Sequence, residues 1–201
     1  MGQLAEGWEI KTETQSHPAD YIERHRDRQA TNVAATVRET EQDLTALQSL
    51  LDDSYTAAGS HLRSVITPER RLTAEQLTKE LTGVCIMSLA TSSRDGRPFV
   101  APVDGLFYRG QFWFGSAPNS LRFVHIRRQP HVSASYVPEE EVGITVHGTA
   151  AILDVTADEH AGFRDYCMSI YGEDWIGWLD SAFYARIDAE RMFTFYLDPR
   201  G

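Results

Sequence analysis

Cysteine is scarce. The 201 residues hold two, Cys85 and Cys167, each in an apolar run without metal-ligand spacing, so neither a disulfide framework nor a zinc site is expected. Positive charge is scarce as well, with 19 Lys and Arg against 29 Asp and Glu, a formal net charge of −10. Nucleic acid and anionic membrane are therefore not expected partners, since both need a basic surface to meet phosphate. A local basic cluster can still hold a phosphorylated small molecule. Long apolar runs are missing too, and nothing approaches the ~20 residues of a membrane span. The opening MGQLAEGWEIKTETQ has no basic stretch followed by an apolar one, so no secretory signal is expected. Glu6 stands where a myristoylation motif has serine or threonine. These absences lead to the expectation of a cytoplasmic protein. Hydrophobic residues at 42% and charged residues at 24% are ordinary for a globular chain, long enough for one domain plus an arm.

The composition divides near residue 72. Residues 1 to 30 are polar and aperiodic, with a break at His17-Pro18, because the residue before proline avoids the helical region. DYIERHRDRQ mixes charges densely and reads as a solvated helix face or a mobile arm. Between Asn32 and Ala58 the period turns helical: Val37, Leu44, Leu47, Leu51, Tyr55 and Ala58 form one apolar stripe, with Gly59 as the expected stop. Such a stripe must be covered by the downstream domain or by a second subunit. Residues 1–71 are accordingly read as an N-terminal arm and 72–201 as the main domain. Thr73 and Gln76 match a capping box that opens a short helix.

Beyond it the period becomes that of strands. VCIMSLAT (84–91) and FVAPVDGLFY (99–108) flank the turn SSRDGRP, a hairpin built on Asp95-Gly96. Pro102 should mark a bulge or an edge position, since proline donates nothing to a ladder. Arg109-Gly110 turns the chain into QFWFGS (111–116), with Trp113 expected in the barrel core. SLRFVHIRRQP (120–130) reads as a helix stopped by Pro130. HVSASYV (131–137) and VGITVHGTAAILD (142–154) are strands about an acidic turn, and Thr156 is expected to cap a helix over 157–172. FYARIDAERMFTFYL (183–197) reads as one or two closing strands. Meandering strands with tight turns and intervening helices imply a mainly β fold with helices, closed as an antiparallel barrel.

In FGSAPNSLR a strand meets a helix N-terminus, where free backbone N–H groups and the helix dipole favour an anion. Ser120 can offer its hydroxyl there, and Arg122 can bind phosphate with two N–H groups. The leading helix, the strand ending LAT, the DGRP hairpin, Pro102-Val103, FWFGS, SLRFVHIRRQP and VGITVHGTAAI follow in one order. In that order the run from Leu72 to Asp154, and more loosely to 197, resembles the pyridoxamine 5′-phosphate oxidase-like proteins, the flavin-binding split-barrel superfamily.

The resemblance implies a split-barrel homodimer with its cofactor at the interface. Ser120-Leu121-Arg122 matches the family's element for the cofactor phosphate. Pro102, Val103, Gly115 and Ser116 stand where ring contacts arise, and Arg128, with Arg127, Arg94 and Arg97, would extend a basic rim. Trp175 and Trp178, with Tyr171, would cover the flavin or line the substrate space. His147, in mid-strand, reads as a core or interface histidine. The implied activity is hydride transfer between FMN and a small unsaturated or carbonyl substrate. The deazaflavin coenzyme F-420 is a second cofactor, for whose acidic tail Arg122, Arg127 and Arg128 are available. Haem is a third, with His125, His147 and His160 as axial candidates. A non-enzymatic flavin or haem carrier is the alternative reading. No side chain is singled out as a catalytic acid or base, and no metal site is expected. The terminal FTFYLDPRG departs from the family pattern, lacking the tryptophan-serine and arginine-x-histidine elements that hold the substrate phosphate in the vitamin B6 oxidases.

Overall fold

The computed structural model describes residues 38–179 and 181–197. The expectations for residues 1–37, including the His17-Pro18 break and Val37, lie outside the described residues. Six strands, β1 (Cys85–Ser92), β2 (Pro98–Tyr108), β3 (Gln111–Ser116), β4 (His131–Glu139), β5 (Val142–Leu153) and β6 (Phe183–Tyr196), close a barrel in the order β1-β2-β3-β6-β5-β4. Every pairing is antiparallel. The β2–β3 connection is a two-residue turn in which both Arg109 (φ 55) and Gly110 (φ 74) are left-handed, the geometry that matches strand twist. Residues 183–196 form one long strand rather than two, with a register shift beside His147 and Gly148.

That last strand explains the helix at the front of the described chain, α1 (Glu41–Thr56). β6 pairs with β5 along nearly its whole length, but β3 reaches only from Phe183 to Arg186. Among the described residues no strand lies beside one edge of β6 beyond Arg186, and its backbone groups need other partners. α1 supplies them. The Met192 N–H donates to Ser54 Oγ at 2.9 Å, and the Thr194 N–H donates to Tyr55 Oη at 2.8 Å. Leu47, Leu51 and Tyr55 are buried in the same apolar cluster as Met87, Phe107, Phe112, Phe114, Ile144 and Ile187 of the barrel interior.

The start of α1 corrects the expected span, because Thr40 forms a capping box with Asp43 and the helix begins at Glu41. Its end is corrected too. The helix stops at Thr56, and Gly59, with φ −66, instead precedes a further short helix, α2 (Ser60–Val65). α3 (Ala74–Glu80) carries the expected capping box of Thr73 and Gln76. α4 (Leu121–Arg128) follows β3, and α5 (Ala161–Tyr171) follows β5.

A second apolar cluster lies outside the barrel, beneath α5. It holds Leu106, Tyr108, Trp113, Phe163, Tyr166, Cys167, Trp175 and Tyr184. Trp113 belongs to this cluster and not to the barrel interior. Its neighbours Phe112 and Phe114 point inward, so strand alternation turns Trp113 outward, where it stacks on Phe163 with centroids 4.2 Å apart. Thr156 does not cap the following helix; its hydroxyl donates to Asp154, and a 3-10 turn at Asp158–His160 leads into α5. Gly172 ends α5 with φ 82, and a 3-10 segment, Glu173–Trp178, folds back over the cluster. Among the described residues no helix is long and apolar enough to cross a membrane, and no group of three or more His, Cys, Asp or Glu could hold a metal ion.

Candidate functional site

The site arises where two strands separate. β2 and β3 pair only through Gly105–Tyr108 and Gln111–Phe114. Above that, Pro98–Asp104 stay with β1, while Gly115 and Ser116 stay with β6. Pro102 thus sits on the unladdered side of β2, paired with Ser88 without a register shift, an edge position and not a bulge.

The chain leaves β3 through Ala117–Asn119 and enters α4 at Ser120. Ser120 occupies the N-cap position, but its side chain makes no capping hydrogen bond. Its Oγ is buried and has no partner among the described residues. A buried hydroxyl in this state is uncommon and calls for a ligand or a rotation about its one side-chain bond. Arg122 reaches back across the gap, its Nη2 donating to the Pro102 carbonyl at 3.1 Å. Burial pulls its guanidinium below the ordinary arginine range, and the negative charge of Asp104 works the other way. With one donor engaged by Pro102, the fork retains others for an anion. An unpartnered hydroxyl and a partly desolvated guanidinium in one helical turn fit a cofactor phosphate.

The structure does not bring every expected residue to this point. Val103 turns its side chain into the barrel interior, so only its backbone is available at the edge. Arg128 is exposed in the last turn of α4, about 9 Å along the axis from Arg122. Arg127 folds back to donate to the Pro118 carbonyl at 3.1 Å and lies over the Phe183 ring, so it braces the Ala117–Asn119 turn. Arg94 and Arg97 are exposed on the β1–β2 turn, where Arg97 pairs with Asp95.

Beside the gap lies a cleft of about 680 Å³. Gly115, Ser116, Trp175 and Trp178 line it, as does Tyr171. Sequence reasoning missed Asp104, Asp174 and Tyr184, which line it too. Tyr184 faces Gly115 in the β3–β6 register, and a glycine opposite an aromatic across two strands was the available signal. The Trp175 indole N–H donates to Tyr184 Oη at 2.7 Å. Burial pushes the Tyr184 phenol up to about 12, so it stays protonated and keeps its own proton to donate. Trp175 is buried, whereas Trp178 is 66% exposed and forms an outer wall.

None of the three histidines considered as axial ligands lines the cleft. His125 is buried, with Nδ1 2.9 Å from Thr91 Oγ1 and its ring beside Phe99. His160 packs against Trp113. His147 is exposed on the outside of the barrel, with Nδ1 2.8 Å from Ser133 Oγ, and so is not a core histidine. The thiols of Cys85 and Cys167 are both pushed up by burial, Cys85 to about 12, and are unreactive packing groups.

Comparison with known proteins agrees with this architecture. No curated protein matches the chain. Among solved structures, the haem storage protein HutZ from Vibrio cholerae is 16% identical with a TM-score of 0.52, covering 65% of this chain and 94% of its own. That likeness is one of fold. An FAD-binding protein from Mesorhizobium loti is 24% identical with a TM-score of 0.49, covering 62% of this chain and 93% of its own. The family model described as pyridoxamine 5′-phosphate oxidase matches residues 73–195, a span that runs from the cap of α3 through nearly all of β6 and takes in both the α4 N-terminus and the cleft. The chain therefore belongs to the pyridoxamine 5′-phosphate oxidase-like split-barrel family.

Proposed function

We propose that the protein is a flavin-dependent oxidoreductase that binds FMN by its phosphate at Ser120 and Arg122, with coenzyme F-420 as the alternative cofactor. The observation that carries this reading is the buried, unpartnered Ser120 Oγ at the head of α4, one turn of helix with Arg122. The helix N-terminus adds free N–H groups and the favourable end of the dipole. A bound flavin would supply the hydride chemistry itself. The protein's share is to hold and orient. Arg122 ties the phosphate site to Pro102, so a shift in α4 is felt at the β2 edge where the ring contacts are proposed. Trp175, Trp178 and Tyr184 wall the adjoining cleft against water, and the Tyr184 hydroxyl offers a fixed donor to a substrate oxygen or nitrogen.

The proposal includes a homodimer. On the outer face of the barrel, Val100, Ala90 and Ser133 align across three strands, as do Pro102, Ser88 and Ser135, and Ile86 aligns with Asp104. Small side chains with exposed Ile86 (56%) and Val100 (66%) make a flat patch suited to a second copy beside the phosphate site.

The test is an absorbance spectrum of the purified protein followed by titration with FMN, F-420 and haem. FMN or F-420 should bind, and Arg122→Ala should weaken binding about tenfold to a hundredfold, the scale of a hydrogen bond to a charged group. Haem binding alone, or flavin affinity indifferent to Arg122, would overturn the reading.

A further inference from the structure

The chemistry of the cleft is lopsided. Among the described residues its lining includes two carboxylates, Asp104 and Asp174, and no lysine or arginine. Five of its lining residues are aromatic, Phe114, Tyr171, Trp175, Trp178 and Tyr184. Arg122, which Asp104 influences, lies outside the lining and is turned toward Pro102. The whole chain carries a formal charge of −10, which adds to the negative field at the mouth.

We infer that this cleft selects a planar organic cation, a flat ring system bearing a protonated or quaternary nitrogen and no anionic group. Aromatic faces attract a cation through their quadrupole, tryptophan most strongly, and they stack on a flat ring whatever its charge. The carboxylates then decide the sign. An anion entering beside Asp104 and Asp174 would meet repulsion with no basic side chain among the described walls to offset it. A cation would meet attraction from both carboxylates and from the rings. Gly115 leaves room for the Tyr184 ring, and the Tyr184 hydroxyl, steadied by Trp175, gives a single directional donor. Trp178, largely exposed at the outer wall, is placed to close over a bound ring.

The inference names the substrate class for the site proposed above and rests on that reading only for the reaction. It is tested on the cofactor-free protein, so it can fail while flavin binding stands, or stand while flavin binding fails. Three probes of nearly equal shape serve: 1-methylquinolinium, quinoline at a pH where it is neutral, and quinoline-2-carboxylate. Binding is read by calorimetry and by quenching of tryptophan fluorescence. The cation is expected to bind about tenfold tighter than the neutral ring, with the carboxylate weakest. Asp104→Asn combined with Asp174→Asn should remove most of the gap between cation and anion, and Trp178→Ala should weaken all three, the cation most. Should the double variant not fold, raising the salt concentration on the unaltered protein should narrow the gap between cation and anion. Absence of binding by every probe, or an anion bound as tightly as the cation, would overturn the inference.

Discussion

The Trp175 indole and the Tyr184 phenol form a donor–acceptor pair, 2.7 Å apart, that joins the 3-10 segment after α5 to the first residues of β6. Both residues are buried, and the rings meet edge to face with centroids 5.8 Å apart. Replacing Tyr184 with Phe keeps the ring contact but leaves the indole N–H without its acceptor. Stability to urea should fall by about 1–3 kcal/mol, the cost of an orphaned buried donor. An unchanged midpoint would show that Trp175 finds another acceptor.

Gly115 depends on that pair. A Cβ added there would come within 2.9 Å of Tyr184 Cε1, and the tyrosine cannot swing aside without giving up Trp175. Gly115→Ala should cost about 1–3 kcal/mol, the range for overpacking. It should also shift the fluorescence of the buried Trp175. A variant with full stability and an unaltered emission spectrum would show that the cleft wall yields freely.

The hairpins could be read directly from the sequence. Asp95-Gly96 and Arg109-Gly110 are local signals, and the chain turns at both. The placement of Ser120 and Arg122 in the first turn of α4 was legible for the same reason, since a helix start and its neighbour two residues on are fixed by local sequence. Asp104 and Tyr184 were not. Tyr184 reaches Gly115 only because β6 is inserted between β3 and β5, an outcome of barrel closure that no window of neighbouring residues contains. Trp113 was misplaced because a tryptophan among phenylalanines looks like interior. Alternation gives the inside to Phe112 and Phe114, and α5 then covers the tryptophan.

α1 was visible as an amphipathic helix, but its role in completing β6 was not. The boundary proposed at residue 72 separates two compositions, while Leu47, Leu51 and Tyr55 are buried with the barrel interior. Tyr55 Oη lies 2.8 Å from the Thr194 N, O and Oγ1 atoms. Tyr55→Phe should therefore destabilise by about 2 kcal/mol, since the buried Thr194 N–H loses its partner. Removing residues 1–60 should abolish cooperative unfolding. A truncated chain that still unfolds in one sharp transition would show that the barrel closes this edge without the helix.

The start of α1 carries a pH dependence of known sign. Burial raises the Asp43 carboxyl, but the Thr40 N–H and hydroxyl and the Arg109 guanidinium outweigh it and hold the group below the usual aspartate range. The Arg109 contact, at 3.0 Å, ties the helix start to the β2–β3 turn. A carboxyl whose folded value lies below its unfolded one stabilises the fold above the unfolded value and loses that contribution as pH falls through the folded one. Asp43→Asn should lower stability by about 1 kcal/mol at neutral pH, the scale of a lost cap interaction. The gap between variant and parent should shrink below pH ~4, where the parent's own carboxylate takes up its proton. Urea titrations of both proteins from neutral to acid pH check this. A gap that stays constant across the range would place the stabilisation in the shape of the side chain and not in its charge.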